Sequence, residues 1–256
     1  MIHATVIIDP SSSVTEGVEI GPYTVIGANV SIGSGTVIGP HVTINGTTSI
    51  GKNNRIYQFS SIGEDPQDKK YAGEKSFLEI GDNNEIREFT TIHRGTTQDK
   101  NVTIIGSDNL LMAYTHVAHD CVIGNDVILA NAASLGGHVH IGNNVILGGF
   151  SIVHQFCHLG EHCFSAMGSA ITKDVPPFVM VGGRPTKPHG INSVGLDRRG
   201  FSKDAILQIK RAYKTLYKSG LTLSDATEAL VEAVKDQPEL SIMVDFLKNS
   251  SRSILR

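Results

Sequence analysis

The sequence predicts a mainly β fold: a solenoid of short stacked strands, then a small helical region. Three observations carry that prediction. Aliphatic residues recur every six positions over most of the chain, and small or β-branched residues recur four positions after them. The pattern then stops near residue 173, and a helical spacing takes over. Neither strict alternation nor a 3.6-residue period competes with so regular a six-step.

Taken in chain order, the step from Ile2 meets Ile8, Val14, Ile20, Ile26, Ile32, Ile38, Ile44, Ile50, Ile56 and Ile62. It resumes at Ile80, Ile86 and Ile92, three steps after Ile62, the gap spanning a polar insertion near residues 64–77. A second train, offset by one residue, runs Ile105, Leu111, Val117, Ile123, Leu129, Leu135, Ile141, Leu147, Val153, Leu159 and Ile171. Short runs of Val, Ile and Thr suit strands, and stacking them coil on coil buries the aliphatics. Glycine often follows the aliphatic, as at Gly21, Gly27, Gly33 and Gly39, so glycine and asparagine are expected to turn the corners. Cys121, Cys157 and Cys163 occupy the small inward position. Odd in number and without a CxxC pair, they read as core fillers, not a disulfide framework or zinc site.

Four prolines between Pro176 and Pro188 mark residues 174–190 as a linker. Beyond them Ile206, Ile209, Tyr213, Leu216 and Tyr217 share helical spacing, with Ser202 as N-cap and Gly220 past the end. A second helix opens at Thr222 or Ser224, and a third at Pro238. The expected organisation is a solenoid over 1–173, the linker, and a helical domain over 191–256.

Composition agrees and excludes several classes. With 27 glycines, 6% aromatic residues and no tryptophan, the core must be aliphatic. A net charge of −3 lacks the basic footprint of nucleic-acid binding. No apolar stretch nears a membrane span, and Met1–Pro10 lacks a signal peptide's basic start. A cytoplasmic protein without stable membrane insertion is expected.

The repeat resembles that of the hexapeptide-repeat acyltransferases. That resemblance implies a left-handed parallel β-helix, a three-sided prism with 18 residues per coil, and roughly eight to ten coils about 4.8 Å apart. On such coils His119, His138 and His154 follow Val117, Leu135 and Val153 on one face and form a column near one edge. His116 lies just ahead of the same strand, and His140 and His158 sit one coil apart at the following bend. The column suits three readings: solvated bend histidines, a metal site, or proton transfer with polar-substrate binding. Imidazole titrates near neutral pH, which favours the last.

An ordered set of segments narrows the resemblance. It comprises Ser61–Glu64 with Gln67–Tyr71, Ile92–Thr96, Asp108–Met112, His116–Cys121, Gly136–Val139, Val153–Phe156, Asp174–Pro177 and Arg198–Ser202. Together these resemble the UDP-N-acetylglucosamine 3-O-acyltransferase family. The resemblance implies transfer of an (R)-3-hydroxyacyl chain from acyl carrier protein to the 3-hydroxyl of UDP-N-acetylglucosamine, the first step of lipid A biosynthesis. It implies His119 as general base, Asp120 as the carboxylate orienting it, and the Gly137 N–H as oxyanion donor, with no metal or cofactor. Gln67, Asp68, Lys70, His93, His116, His138, His154 and Gln155 match positions holding the nucleotide sugar. Asn192, Arg198 and Arg199 match those reaching its nucleoside and diphosphate.

Met167 matches an acyl-length ruler, where a bulky thioether predicts chains of about ten carbons. Val194 departs from the family, which commonly carries glutamate there. The family also implies a homotrimer with sites between neighbours. The rivals are the N-acyltransferase acting later in the same pathway, a metal-dependent lyase resembling the γ-carbonic anhydrases, and a non-catalytic scaffold. The N-acyltransferase carries an N-terminal nucleotide-binding domain, whereas here the repeat begins at Ile2.

Overall fold

The computed structural model describes residues 1–235, 237–250 and 253–256. Most strands are only two residues long, because a corner follows each inward aliphatic. Among the described residues they form three sheets of nine, eight and ten strands. Every pairing is parallel except that of Val179–Gly182 with Lys187–Ile191. The sheets, called here the first, second and third faces, are visited in turn from Ile7–Ile8 onward. They wind into a left-handed parallel β-helix followed by a small helical region.

The six-step aliphatics stack in register. On the first face Ile8, Ile26, Ile44, Ile62, Ile92, Val117, Leu135, Val153 and Ile171 pair in sequence. From Ile26 to Ile171 these side chains are at most 3% exposed. Each such burial is worth about 1.5–3 kcal/mol against an exposed side chain. The small inward positions join neighbouring coils: the Thr24 hydroxyl donates to Gly39 O at 2.8 Å and accepts from the Val42 N–H at 3.2 Å. Cys121, Cys157 and Cys163 are buried thiols outside any disulfide, and burial raises the Cys121 thiol to about 12.

Glycine plays a different part from the one expected. Where a glycine follows the aliphatic it is needed because coils touch there, since a Cβ on Gly21 would lie 2.7 Å from Pro40 N and 2.8 Å from Gly39 C. The left-handed corner residues are mostly not glycine. Asn53, Asn83, Asp108, Asp126, Asn144 and His162 turn the edge between the second and third faces, with φ of 56–62°. Asn and Asp tolerate that conformation better than other side chains. At the edge between the third and first faces the rings of Tyr23, His41, Phe59, Phe89 and Tyr114 turn the corner. They stack on one another at 4.8–5.3 Å.

The insertion also works differently. Ile62 lies on the first face and Ile80 on the second, so this eighteen-residue step crosses one corner, not three. A second insertion, residues 94–101, separates Ile92 on the first face from Ile105 on the second. That step spans thirteen residues, seven more than usual, which is why the second train is offset by one. Both insertions leave the prism at the edge between the first and second faces.

Residues 174–190 are not a linker. Val179–Gly182 continues the third face, aligned beside Phe164–Ser165, and Lys187–Ile191 folds back antiparallel on it. The prolines misled because Pro176 and Pro177 precede the strand and Pro188 lies on an edge strand, where a missing N–H is tolerated.

Among the described residues four helices follow: α1 (Ser193–Arg198), α2 (Lys203–Lys218), α3 (Leu223–Val234) and α4 (Ser241–Asn249). Ser202 and Thr222 cap α2 and α3 by accepting from Ala205 and Asp225 N–H. Pro238 opens a 3-10 turn that leads into α4. The helices share a core of Leu196, Ile209, Leu216, Leu230, Met243 and Leu247. Tyr213 and Leu255 pack this region onto the β-helix core. None of these helices is long and apolar enough to cross a membrane.

Candidate active site

At the edge between the first and second faces, the corner residues on three successive coils are Asp120, His138 and Phe156, all with φ near 60°. The left-handed corner brings their side chains together along the edge. His138 stacks on the Phe156 ring at 4.4 Å and meets the His119 ring edge-on at 5.1 Å.

His119 and Asp120 form a dyad. The His119 Nδ1 lies 2.8 Å from Asp120 Oδ2, with Asp120 2% exposed. Thr96 donates its N–H to Oδ1 at 2.8 Å and its hydroxyl to Oδ2 at 2.7 Å. Asp120 in turn donates its own N–H to the Thr103 hydroxyl at 2.8 Å. Burial alone would raise this carboxyl, but the bonds from His119 and Thr96 and the nearby His138 outweigh it. They hold the carboxyl below its ordinary range. Nδ1 is therefore committed to a carboxylate, which leaves Nε2 as the ring's working nitrogen.

Gly137 lies against the His119 ring. A Cβ there would stand 2.6 Å from Cε1 and 2.8 Å from Nε2, so only glycine lets the imidazole lie this close to the backbone. The edge gathers two further histidines. His116 Nδ1 is 2.7 Å from the Thr91 hydroxyl, and burial, then His119, lowers its titration. His93, 4% exposed, meets His116 edge-on at 5.1 Å, and its Nδ1 has no hydrogen-bond partner among the described residues. Burial and then the neighbouring His116 push it down to about 4, so it stays neutral near pH 7.

His154 and Gln155 follow on the next coil of the same edge, where His154 Nδ1 donates to Gln155 O at 3.0 Å. Gln67, Asp68 and Lys70 sit on the first insertion, which leaves this same edge; Lys70 N–H donates to Asp68 Oδ1 at 3.0 Å. The other expected residues lie elsewhere. Asn192 caps α1 and donates to His162 O at 3.1 Å, and Arg199 Nε donates to Asn144 Oδ1 at 2.7 Å. With Arg198 they sit at the edge between the second and third faces, one full face from His119. Met167, 82% exposed, sits at the third edge, between the third and first faces. A single chain therefore gathers the histidines and the first insertion, but not the arginines or Met167. His140 and His158 lie on strands of the second face, stacked at 4.5 Å, rather than at a bend.

Sequence reasoning missed the second insertion. Its Thr96 holds Asp120, and its Asp99 accepts from His138 Nδ1 at 3.0 Å. The one-residue offset between the two trains was the available signal. The ligand atoms of His119, Asp120 and His138 lie within 4.8 Å of one another, close enough for a cation. In this arrangement, however, the carboxylate oxygens already accept from Thr96 and His119.

Comparison with known proteins agrees across the chain. A family model described as bacterial transferase hexapeptide (six repeats) matches residues 103–137. One described as UDP N-acetylglucosamine O-acyltransferase, domain 2, matches residues 174–255. A relative from Halorhodospira halophila, named as an acyl-carrier-protein-dependent UDP-N-acetylglucosamine O-acyltransferase, is 54% identical over 255 residues; the match covers 100% of this chain and 99% of the relative. The solved UDP-N-acetylglucosamine O-acyltransferase of Moraxella catarrhalis is 48% identical, with a TM-score of 0.98 over 100% of this chain and 99% of that one. The Arabidopsis UDP-N-acetylglucosamine acyltransferase is 33% identical, with a TM-score of 0.86 over the whole of both chains. The chain belongs to the UDP-N-acetylglucosamine O-acyltransferase family.

Proposed function

We propose that this chain moves an (R)-3-hydroxyacyl group from the thioester of acyl carrier protein to the 3-hydroxyl of UDP-N-acetylglucosamine, opening lipid A biosynthesis in the cytoplasm. The observation that carries the mechanism is the His119–Asp120 dyad lying against the Gly137 backbone. His119 Nε2 takes the proton of the sugar hydroxyl as its oxygen attacks the thioester carbonyl carbon. The carbonyl oxygen becomes an oxyanion and accepts from the Gly137 N–H, which has no other acceptor among the described residues. Asp120 stabilises the imidazolium that has formed. The C–S bond then breaks, and His119 returns its proton to the departing thiolate, so the products are an ester and a free carrier thiol. The neutral His93 and His116, with His138, His154, Gln155 and the loop residues Gln67, Asp68 and Lys70, line the seat of the nucleotide sugar.

The separation of the arginines and Met167 from His119 supports a homotrimer whose sites lie between copies. In such an assembly Asn192, Arg198 and Arg199 of one copy face the histidine edge of another, and Met167 bounds the acyl chain. Mixing His119→Ala chains with Arg199→Ala chains tests this directly, because mixed trimers then contain some sites with neither lesion. Recovered activity supports the shared site, and no recovery at any ratio removes it.

Turnover is tested with UDP-N-acetylglucosamine and 3-hydroxyacyl carrier proteins, products being read by mass spectrometry. The His119→Ala chain should lose about 10²–10⁴-fold or more in kcat without unfolding. Near-normal turnover would remove the general-base assignment.

A further inference from the structure

Arg94 belongs to no step of the mechanism above, yet its side chain is only 9% exposed. A buried guanidinium is expensive unless its donors are satisfied. Here they are satisfied along both ends of the first insertion. Nη1 donates to Gly63 O, and Nη2 to Asp65 Oδ1 and, at 3.2 Å, to the Tyr71 hydroxyl. Nε donates to the Ser76 hydroxyl at 3.4 Å. Tyr71 donates in turn to Asp65 Oδ1, 3.1 Å away. The main chain repeats the link, with Arg94 N–H donating to Glu64 O at 3.1 Å and Gly95 N–H to Phe77 O at 3.0 Å. Gly46 makes room for it, since a Cβ there would overlap the guanidinium. One side chain thus spans residues 63–76, and Gln67, Asp68 and Lys70 lie within that span.

We propose that Arg94 is a positioning residue for the nucleotide sugar, latching the first insertion so that its contact residues are ordered before substrate arrives. This rests on the reading that the insertion carries nucleotide-sugar contacts. A loop that is ordered in the free protein does not draw on binding energy for its ordering. Loss of the latch therefore weakens sugar binding while leaving the His119 dyad in place.

The test is steady-state kinetics on the full chain. Arg94→Gln should raise KM for UDP-N-acetylglucosamine about tenfold, with kcat within about threefold and KM for the acyl carrier protein unchanged. Arg94→Lys, which keeps the charge but not the forked donors, should recover part of the loss. Asp65→Asn, at a side chain 60% exposed, should raise the same KM a few fold without disturbing the fold. That variant decides the matter if Arg94→Gln does not fold. Asp68→Ala serves as the control on the loop itself. If Asp68→Ala raises KM while the Arg94 and Asp65 variants do not, the latch is overturned. If Asp68→Ala also leaves KM unchanged, the insertion is not the sugar's seat and both readings fall.

Discussion

Thr96 grips Asp120 with two groups at once, its N–H on Oδ1 at 2.8 Å and its hydroxyl on Oδ2 at 2.7 Å. The second insertion therefore sets the orientation of the carboxylate that His119 depends on. Removing the hydroxyl with Thr96→Val keeps the shape and leaves the backbone donor. The expected result is a kcat lower by about tenfold with both KM values little changed. Unaltered kcat would show that the N–H alone suffices.

Gly137→Ala probes how closely the backbone approaches the base. Gly137 is not in the left-handed region, so alanine is compatible with its backbone; the obstacle is the His119 ring, 2.6 Å from the new Cβ. Displacing the ring should lower kcat by about 10²–10³-fold, the scale of losing an oxyanion contact. Thermal unfolding should remain near that of the parent chain.

Met167 protrudes at its edge and supports little else, so Met167→Gly should leave stability unchanged. Competition among 3-hydroxyacyl carrier proteins of different lengths checks the ruler assignment. The parent chain should favour about ten carbons, and the variant should shift toward longer chains as the groove lengthens by several methylenes. A parent preference for fourteen carbons, or no shift, would sink the assignment.

Acid should destabilise this fold through its buried histidines. His162 is packed between the rings of Phe178 and Phe201, and burial, then Arg199, pushes it down to about 4; His93 is similarly low. The unfolded chain protonates these rings near pH 6.5, where the folded chain does not. Their stabilisation is therefore complete above about 6.5 and is lost as pH falls toward about 4. Denaturant midpoints measured across that window should decline, and His162→Leu should flatten part of the slope.

Much of the fold was legible because burial imposes a period. A three-sided coil needs one inward aliphatic per face, so Ile20, Ile26 and Ile32 fall six apart whatever the outward residues are. Hydrogen bonding at the insertions imposes no such rhythm. Arg94, Thr96 and Asp99 act through partners up to 39 residues away, and nothing in their spacing reveals those partners. Proline likewise misled at residues 174–190, because its tolerance depends on whether a strand lies at an edge.

By itself the sequence determined a solenoid of short stacked strands, the aliphatic core, the buried cysteines and the alignment of His119, His138 and His154 on one edge. These follow from local periodicity, which a stack of identical coils turns directly into geometry. Only the tertiary structure decided that Asp120 is held from the second insertion and that Gly137 lies against the His119 ring. It also decided that the arginines lie a full face away. Those relations join segments distant along the chain, and their distances depend on where the corners and insertions place them.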